Sequence, residues 1–272
     1  MVYALRSDQG DWEQPMNTIL IGSIASLAAG LATAIGAMPV FFTKTVSPRL
    51  ADTFLGFAAG VMLAASFFSL LVPALAVAEA DYGNRIAAAS LVIASVLIGV
   101  GAIWLANEWA PHEHFVQGRE GSDLISLKRI WLFVVAITIH NFPEGLAVGV
   151  GFGGGDISNG TALAVGIGLQ NIPEGLAVAV ALVGQRYARL HAFVVALLTG
   201  LIEPIGGVIG VTAVTFSQPL LPWALAFAAG AMIYVVSHEI IPATHSRGWQ
   251  KEATAGLVVG LSLMMFLDVV FG

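Results

Sequence analysis

The sequence contains eight apolar runs of about twenty residues that hold no lysine or arginine. An α-helix rises about 1.5 Å per residue, so each run is long enough to cross about 30 Å of hydrocarbon. Hydrophobic side chains make up 57% of the 272 residues and charged side chains only 10%, where about 25% is usual in soluble domains. The sequence therefore predicts an all-α, polytopic membrane protein embedded in the lipid bilayer. The predicted spans are 19–42, 54–78, 86–107, 130–153, 161–183, 192–214, 220–243 and 253–271.

The basic residues are distributed unevenly between the two sides of these spans. Nine of the eleven lysines and arginines lie in the loops that follow spans one, three, five and seven. The positive-inside rule places these loops in the cytoplasm and both termini on the extracellular or periplasmic side. We therefore expect residues 1–272 to form a single membrane domain in the inner or plasma membrane, with a cytoplasmic loop at 108–129. In a membrane-embedded chain the position of each charge is more informative than the net charge of −6, and nucleic acid is not expected as a partner.

Two pairs of sequence repeats relate spans that run in opposite directions. The segment HNFPEGLAV at 140–148 recurs as QNIPEGLAV at 170–178, in the next span. The segment LGFAAGVM at 55–62 recurs as LAFAAGAM at 225–232, in spans two and seven. Secondary transporters use inverted-topology repeats to build a site near the bilayer midplane. The repeats predict a three-plus-two-plus-three arrangement of spans, with spans four and five at the centre.

Five acidic side chains lie inside spans that contain no basic residue: Glu144, Glu174, Glu203, Glu239 and Asp268. An unpaired carboxylate is costly in hydrocarbon, so each must be protonated, hydrated or neutralised by a cation. Counting about 1.5 Å per residue from the span ends places Glu203 at the midplane. The same count places Glu239, with its neighbour His238, near the cytoplasmic end of span seven. Asp268 falls toward the outer end of span eight, so the acids predict a pathway with an entrance, a centre and an exit.

The repeated motif places polar side chains at the centre of the membrane. His140 and Gln170 fall about 15 Å from the ends of their spans, and Met62 lies at a similar depth. His140 and Glu144 are four residues apart and share one helix face, and Gln170 and Glu174 repeat this spacing. The two motifs therefore predict one site between spans four and five.

Each motif also contains a proline directly before its glutamate. Pro143 removes the backbone donor for the carbonyl of Ile139, and Pro173 does the same at Leu169. We expect these helices to be loosened at both points, beside the polar side chains. Irregular backbone at membrane depth is tolerated only where it is buried in protein or lines a cavity.

The donors at the midplane indicate which substrate the site suits. They are one imidazole, three carboxylates and side-chain amides, and the absence of cysteine excludes a thiolate cage. The thioether of Met62 is either a further donor or an ordinary packing side chain. Such a set suits Zn²⁺, Cd²⁺, Fe²⁺ or Mn²⁺ better than Cu(I) or Mg²⁺. The leading hypothesis is a secondary transporter of divalent transition metal, with zinc the first candidate. Three carboxylates have room for one or two ions.

From span two onward the sequence resembles the ZIP (Zrt/Irt-like) family of divalent metal transporters, in its prokaryotic form. The resemblance rests on five segments, HNFPEG, QNIPEG, Ile202-Glu203-Pro204, Ser237-His238-Glu239 and LGFAAGVM. It implies eight helices with extracellular termini, metal uptake into the cytoplasm and an elevator-like motion of the central helices. It also implies that the chain forms a homodimer, as many members do.

The resemblance further implies a binuclear metal site between spans four and five, in which Glu144 and Glu174 bridge the ions. By position, the primary transport site would use Met62, His140, Glu144, Gln170 and Glu174. The second site would use Asn141, Glu144, Asn171, Glu174 and Glu203. Many family members have His where Gln170 stands, and some have Asp where Asn171 stands. Both departures weaken the set of metal ligands.

Two further histidines, His112 and His114, lie in the loop between spans three and four. They resemble the His-rich cytoplasmic loop of many ZIP proteins, which suggests that they capture or sense metal. A plain solvated loop is the alternative, because two histidines in a flexible segment bind metal weakly.

Other function classes fit the sequence less well. His238-Glu239 begins like the zinc-protease motif His-Glu-x-x-His, but residue 242 is proline, so the second helical histidine is missing and no enzyme is expected. No Gly-x4-Gly-Lys-Ser/Thr motif occurs, so the chain is not expected to hydrolyse ATP. A proton-coupled carrier of an organic substrate, whose carboxylates titrate instead of binding metal, remains the alternative within transport.

Overall fold

The computed structural model describes residues 10–43, 46–109, 123–245 and 248–271. These residues are helical apart from short connections and contain no strand. Eight segments are long and apolar enough to cross a membrane, which confirms the predicted all-α, polytopic architecture. The spans, numbered in chain order, are Gln14–Phe41, Pro48–Tyr82, Arg85–Ala106, Phe133–Gly153, Ile157–Gly184, Arg189–Phe216, Gln218–Thr244 and Gln250–Phe271.

Several helices are longer than the apolar runs. Capping side chains or glycines, rather than the limits of the apolar run, determine where these helices begin and end. Span two begins at Pro48, where the hydroxyl of Ser47 accepts from the backbone N–H of Leu50 at 3.2 Å, a typical N-terminal cap. It ends before Gly83, which has a φ of 61° and so adopts the left-handed conformation that favours glycine. The predicted loop 108–129 is helical at both ends, since one helix is Arg85–Trp109 and the next is Asp123–Gly153.

The helical irregularities lie in spans other than those expected. Spans four and five continue as α-helix through Pro143 and Pro173, so the expectation of a loosened helix there is wrong. Span six instead consists of two helices, Arg189–Gly200 and Glu203–Phe216. Spans two and seven each contain a π-helical segment, at Ala65–Leu71 and Val236–Ile240.

A proline follows each of these three interruptions. Pro73, Pro204 and Pro242 lie four residues after Ser69, Gly200 and His238. Because proline has no N–H, these three carbonyls lack their α-helical donor. Proline alone does not interrupt a helix of this protein, since Pro143 and Pro173 leave the same gap in spans that stay regular.

The eight spans pack as two groups of four, which we call the 1-4-5-6 group and the 2-3-7-8 group after their members. Within each group, glycines allow backbones to touch. A Cβ added to Gly145 of span four would lie 2.0 Å from the carbonyl oxygen of Glu203 in span six. A Cβ added to Gly56 of span two would lie 2.0 Å from the carbonyl oxygen of Ala253 in span eight. Among the described glycines, several lie so close to another span that an added Cβ would fall within 2.5 Å of a backbone oxygen there. In every such case the two spans belong to the same group.

The two ends of the bundle differ in charge. We call the end where span one finishes and span two begins the basic face, because six of the seven basic residues in the described part of the chain lie there: Arg49, Lys128, Arg129, Arg186, Arg189 and Lys251. The terminal face is the opposite end, where span one begins and span eight finishes. At the basic face, Arg49 Nε lies 3.1 Å from Glu252 Oε1, which joins spans two and eight. Between the faces, outward apolar side chains such as Leu97 and Phe266 are 63% and 60% exposed, as expected of side chains that contact lipid.

Candidate metal centre

The eight side chains predicted at the membrane midplane are all buried. Their exposed fractions run from 0% to 8%. Span two supplies one, spans four and five supply three each, and span six supplies one. They are Met62, His140, Asn141, Glu144, Gln170, Asn171, Glu174 and Glu203.

Gln170 links span five to span four. Its Nε2 donates to Glu144 Oε1 at 2.5 Å. Among the described residues, neither Gln170 Oε1 nor Glu144 Oε2 has a hydrogen-bond partner. A buried oxygen acceptor normally has a partner, so these two oxygens are available to bind a cation.

Asn171 makes the corresponding link from span five to span six. Its Nδ2 donates to Glu203 Oε1 at 2.7 Å and to the backbone carbonyl of Ala29, in span one, at 2.8 Å. Both donor hydrogens of the amide are therefore used, and the side chain is held by two neighbouring helices. Glu203 Oε2 and Asn171 Oδ1 have no partner in the described part of the chain.

The position of Glu203 follows from the break in span six. The second helix of that span begins at Glu203, so the carboxyl group lies at a helix N-terminus, where oxygen acceptors are favoured. The hydroxyl of Ser26 in span one donates to the backbone carbonyl of Glu203 at 2.9 Å. Gly145 lies against the same carbonyl, because a side chain there would overlap it. Spans one and four thus fix the backbone that carries Glu203.

His140 faces span seven rather than span five. Its Nε2 lies 2.6 Å from Glu239 Oε2. The structure therefore brings the predicted exit residue Glu239 into direct contact with a predicted metal ligand. His238 is exposed and stacks on Tyr234, with ring centroids 4.9 Å apart and an interplanar angle of 28°, so it points away from this contact.

A cavity of about 350 Å³ extends from the basic face to three of the predicted ligands, His140, Glu144 and Glu174. At the basic face its wall includes Val46, Pro48 and Ala243, and its deep end includes Glu144 and Glu174. His140 and Glu239 also line it, and the remaining lining side chains are apolar. No lysine or arginine is among the described lining residues. The polar groups are therefore open toward the basic face.

Toward the terminal face the same site is covered by apolar side chains. Ile167, one turn from Gln170, and Met264 of span eight are fully buried. Met264 fills the space beside Gly166 and so contacts span five from the other group. Beyond this layer, Ser69 of span two donates its hydroxyl to Asp268 Oδ1 at 2.7 Å. The predicted entrance residue Asp268 thus lies on the opposite side of the site from the cavity.

The described residues contain no group of three or more His, Asp or Glu side chains arranged to hold a metal ion. Two of the predicted ligands contact other side chains. His140 is engaged with Glu239, and Gln170 covers one oxygen of Glu144. A metal site built from the predicted set therefore needs His140 to leave Glu239, whereas Glu144 Oε2 and Gln170 Oε1 have no partner to exchange among the described residues. The loop candidates His112 and His114 lie outside the described residues.

Sequence reasoning missed three polar residues that the structure brings near the site. Ser26 supports Glu203, Ser69 binds Asp268, and Asn159 donates its side-chain amide to the carbonyl of Ser69 at 3.0 Å. A signal for Ser69 was present, since its carbonyl lacks a donor four residues later at Pro73. No pattern within span five indicated the partner of Asn159.

Comparison with known proteins decides the family. The family model described as "ZIP Zinc transporter" matches residues 106–268. The chain is 44% identical over 251 residues to the zinc transporter GufA of Myxococcus xanthus, covering 92% of this chain and 99% of that protein. It is 44% identical over 258 residues to the zinc transporter ZIPB of Bordetella bronchiseptica, covering 94% and 84% of the two chains. The human zinc transporter ZIP11 is 36% identical over 321 residues, with coverages of 88% and 94%.

The chain belongs to the ZIP family. This confirms the resemblance drawn from HNFPEG and the four other segments. ZIP proteins are membrane transporters rather than enzymes, so the expectation that the chain is not an enzyme is also confirmed. The ZIP match includes spans four to seven and most of span eight, and therefore every midplane residue described above except Met62.

Proposed function

We propose that this ZIP protein takes up divalent transition metal, zinc in the first place, into the cytoplasm. The observation that carries the proposal is the burial of Glu144, Glu174 and Glu203 together, with no lysine or arginine in the apolar runs 130–153, 161–183 and 192–214 that hold them. Each keeps one carboxyl oxygen without a hydrogen-bond partner among the described residues. Buried carboxyl groups of this kind need a cation or a proton. The zinc transporters similar to this chain favour the cation.

The donor set suits a borderline divalent ion. Nitrogen from His140 and oxygen from the carboxyl and amide groups are ligands for zinc, and they also fit Cd²⁺, Fe²⁺ and Mn²⁺. Gln170 and Asn171 contribute neutral amide oxygens, which bind zinc more weakly than His or Asp at the same positions. A weaker site also releases its ion more readily, as transport requires.

Two subsites share the bridging residues Glu144 and Glu174. The primary transport site takes Met62, His140 and Gln170 as its further ligands. The second takes Asn141, Asn171 and Glu203. Support comes from the two hydrogen bonds that join Gln170 to Glu144 and Asn171 to Glu203, because each links an amide and an acid assigned to the same subsite.

In this proposal, an inverted repeat of the spans allows the metal site to be reached from either side of the membrane. Exchanging span one with six, two with seven, three with eight and four with five converts one half of the bundle into the other. The close glycine contacts between spans follow the same exchange. Gly56 joins spans two and eight as Gly230 joins spans seven and three, and Gly145 joins spans four and six as Gly175 joins spans five and one.

Transport proceeds by an elevator motion of the 1-4-5-6 group against the 2-3-7-8 group. Support for this comes from the distribution of backbone contacts, which lie within the groups, whereas Met264 meets Gly166 through its side chain at the boundary. Side-chain contacts of this kind are compatible with sliding. With the termini outside, the basic face is cytoplasmic and the cavity is the route by which metal leaves, past Glu239. His238 and the loop residues His112 and His114 follow on that side, and Asp268 lies at the entrance.

The test is metal flux into proteoliposomes. Wild-type protein is expected to carry zinc and cadmium down a gradient, Glu144→Ala to lose flux, and Glu203→Ala to retain it with altered kinetics. Glu252→Gln is the matched control, since it removes a carboxylate of the basic face outside the cavity. Absence of metal flux in a folded wild type under every gradient would contradict the proposal. Flux that depends on a proton gradient and an organic substrate would favour the carrier alternative.

A further inference from the structure

Two side-chain hydrogen bonds join the two groups at the terminal face. Gln218, the first residue of span seven, donates Nε2 to the backbone carbonyl of Gly153 in span four at 3.3 Å. The second bond is shorter. Asn159, in the first turn of span five, donates Nδ2 to the backbone carbonyl of Ser69 in span two, at 3.0 Å. Asn159 is 8% exposed, so this bond is shielded from water. Span five belongs to the 1-4-5-6 group and span two to the 2-3-7-8 group. The bond therefore crosses the boundary along which the groups would move.

The acceptor is available because of the sequence of span two. In an α-helix, the carbonyl of Ser69 would accept from the N–H of residue 73, but residue 73 is proline. Ser69 lies in the π-helical segment Ala65–Leu71, where the backbone is already irregular. A buried carbonyl needs a donor from elsewhere, and Asn159 supplies it.

The hydroxyl of Ser69 has a different partner from its carbonyl. It donates to Asp268 Oδ1 at 2.7 Å, and Asp268 belongs to span eight, in the same group as span two. The side chain of Ser69 therefore stabilises the 2-3-7-8 group internally. Only its backbone oxygen takes part in the bond to Asn159.

Asn159 is itself held in place by the start of span five. Asp156 caps this helix, and its Oδ1 accepts from the backbone N–H of Asn159 at 2.9 Å. This contact fixes the first turn, from which the amide of Asn159 extends to span two. Asn159 also lies on the face of span five that carries Ala162, Gly166 and Gln170, at helical spacing. That face contacts the 2-3-7-8 group at Met264.

We propose that Asn159 is a positioning residue that keeps the terminal face closed while the cavity is open at the basic face. The inference rests on the alternating access proposed above. The apolar contacts at this end, such as Met264 against Gly166, allow sliding, whereas a hydrogen bond to a fixed carbonyl has one favourable geometry. Movement of the groups must break this bond. Its loss shifts the population toward the state that is open at the terminal face.

The absence of cysteine from the chain makes a direct test possible. Ala177 lines the cavity, and Ala162 is fully buried one turn from Asn159. Single substitutions Ala177→Cys and Ala162→Cys report the basic and terminal sides through their labelling rates with a water-soluble maleimide. The measurement uses the full-length protein in detergent without metal.

Asn159→Leu keeps the volume of the side chain and removes the donor. We expect labelling at position 162 to rise about fivefold and labelling at position 177 to fall, as the loss of one net hydrogen bond predicts. Pro73→Ala provides a second variant. It returns a backbone donor to the Ser69 carbonyl with Asn159 intact, and is expected to shift the labelling in the same direction by a smaller factor.

Thr161→Val is the matched control, because the Thr161 hydroxyl donates within span five, to the backbone carbonyl of Ile157 at 2.7 Å. It is expected to leave the ratio of the two rates unchanged. Equal increases at both positions in Asn159→Leu would indicate general loosening and overturn the proposal, as would unchanged rates in both Asn159→Leu and Pro73→Ala. Metal flux is a separate measurement. If Asn159→Leu shifts the two labelling rates in opposite directions but the wild-type protein carries no zinc, only the proposed function is contradicted. If the wild-type protein carries zinc but Asn159→Leu does not shift the labelling rates, only the role of Asn159 is contradicted.

Discussion

Asn171 donates its side-chain amide to Glu203 Oε1 at 2.7 Å. This bond joins span five to the start of the second helix of span six, and the same amide also binds the carbonyl of Ala29. An amide donor thus stands beside the carboxyl group that the second metal subsite would use.

Replacing Asn171 by Asp should make the protein more dependent on metal. The change removes two buried hydrogen bonds, each contributing about 1 kcal/mol, and adds a carboxyl group next to Glu203. We expect a lower Tm without metal and a larger rise in Tm on adding cadmium than in wild type. Thermal unfolding in detergent, with and without cadmium, measures both. Asn171→Leu is the control and should be destabilised without being rescued by cadmium. Equal cadmium responses of the Asp and Leu variants would argue against a second subsite.

Gln170→His should raise the apparent affinity for zinc. The amide oxygen is replaced by an imidazole nitrogen, which zinc binds more strongly. We expect the KM of zinc uptake to fall several-fold, and the maximal rate to fall as well because release becomes slower. Gln170→Ala removes the hydrogen bond to Glu144 without adding a ligand and should raise KM. Uptake kinetics in proteoliposomes distinguish the two variants. A KM that rises equally in both would exclude a ligand role for position 170.

Gly145→Ala should disrupt the site by separating two helices. The new Cβ would lie 2.0 Å from the carbonyl oxygen of Glu203, so spans four and six must move apart, at a cost of about 1–3 kcal/mol. We expect a Tm lower by several degrees and loss of metal flux. Gly101→Ala is the matched control, because nothing lies within 4 Å of a Cβ at that position. Similar Tm values for the two variants would show that the contact at Gly145 is not tight.

Glu239→Gln should slow metal release more than metal binding. The residue lines the cavity and contacts His140 at 2.6 Å, but it is not among the residues that bind the ion at the midplane in the proposed function. We expect the maximal rate of zinc uptake to fall about tenfold while KM changes by less than threefold. The control Glu252→Gln changes an exposed ion pair with Arg49, which contributes little, and should stay within twofold of wild type. A larger effect on KM than on the maximal rate would place Glu239 in the binding site instead.

Much of the architecture follows from the sequence because the bilayer constrains it strongly. Apolar runs of about twenty residues without lysine or arginine determine the number of spans. The spacing of His140 and Glu144, repeated by Gln170 and Glu174, indicates which side chains share a face. Both features are local, and a helix of known pitch converts them into positions.

Contacts between segments that are distant in the sequence could not be predicted from such local patterns. Ser69 and Asn159 are ninety residues apart, and no local pattern pairs a carbonyl in one span with an amide in another. The irregular helices were also assigned to the wrong spans. Pro143 and Pro173 were expected to loosen their helices, yet the break occurs before Glu203. At that break Ser26 of span one donates to the Glu203 carbonyl, a tertiary contact that no pattern within span six indicates.

The division of the eight predicted ligands between the two groups has a consequence for the energetics of translocation. Seven belong to spans four, five and six, and Met62 alone belongs to span two. If the 1-4-5-6 group moves as a body, a bound ion keeps its oxygen and nitrogen ligands and exchanges only a thioether, a weak ligand for zinc. The activation barrier then arises from the sliding of apolar surfaces rather than from rebuilding a coordination sphere. Transport rates should accordingly depend more on the side chains at the group boundary than on the ligand-exchange rate of the metal carried.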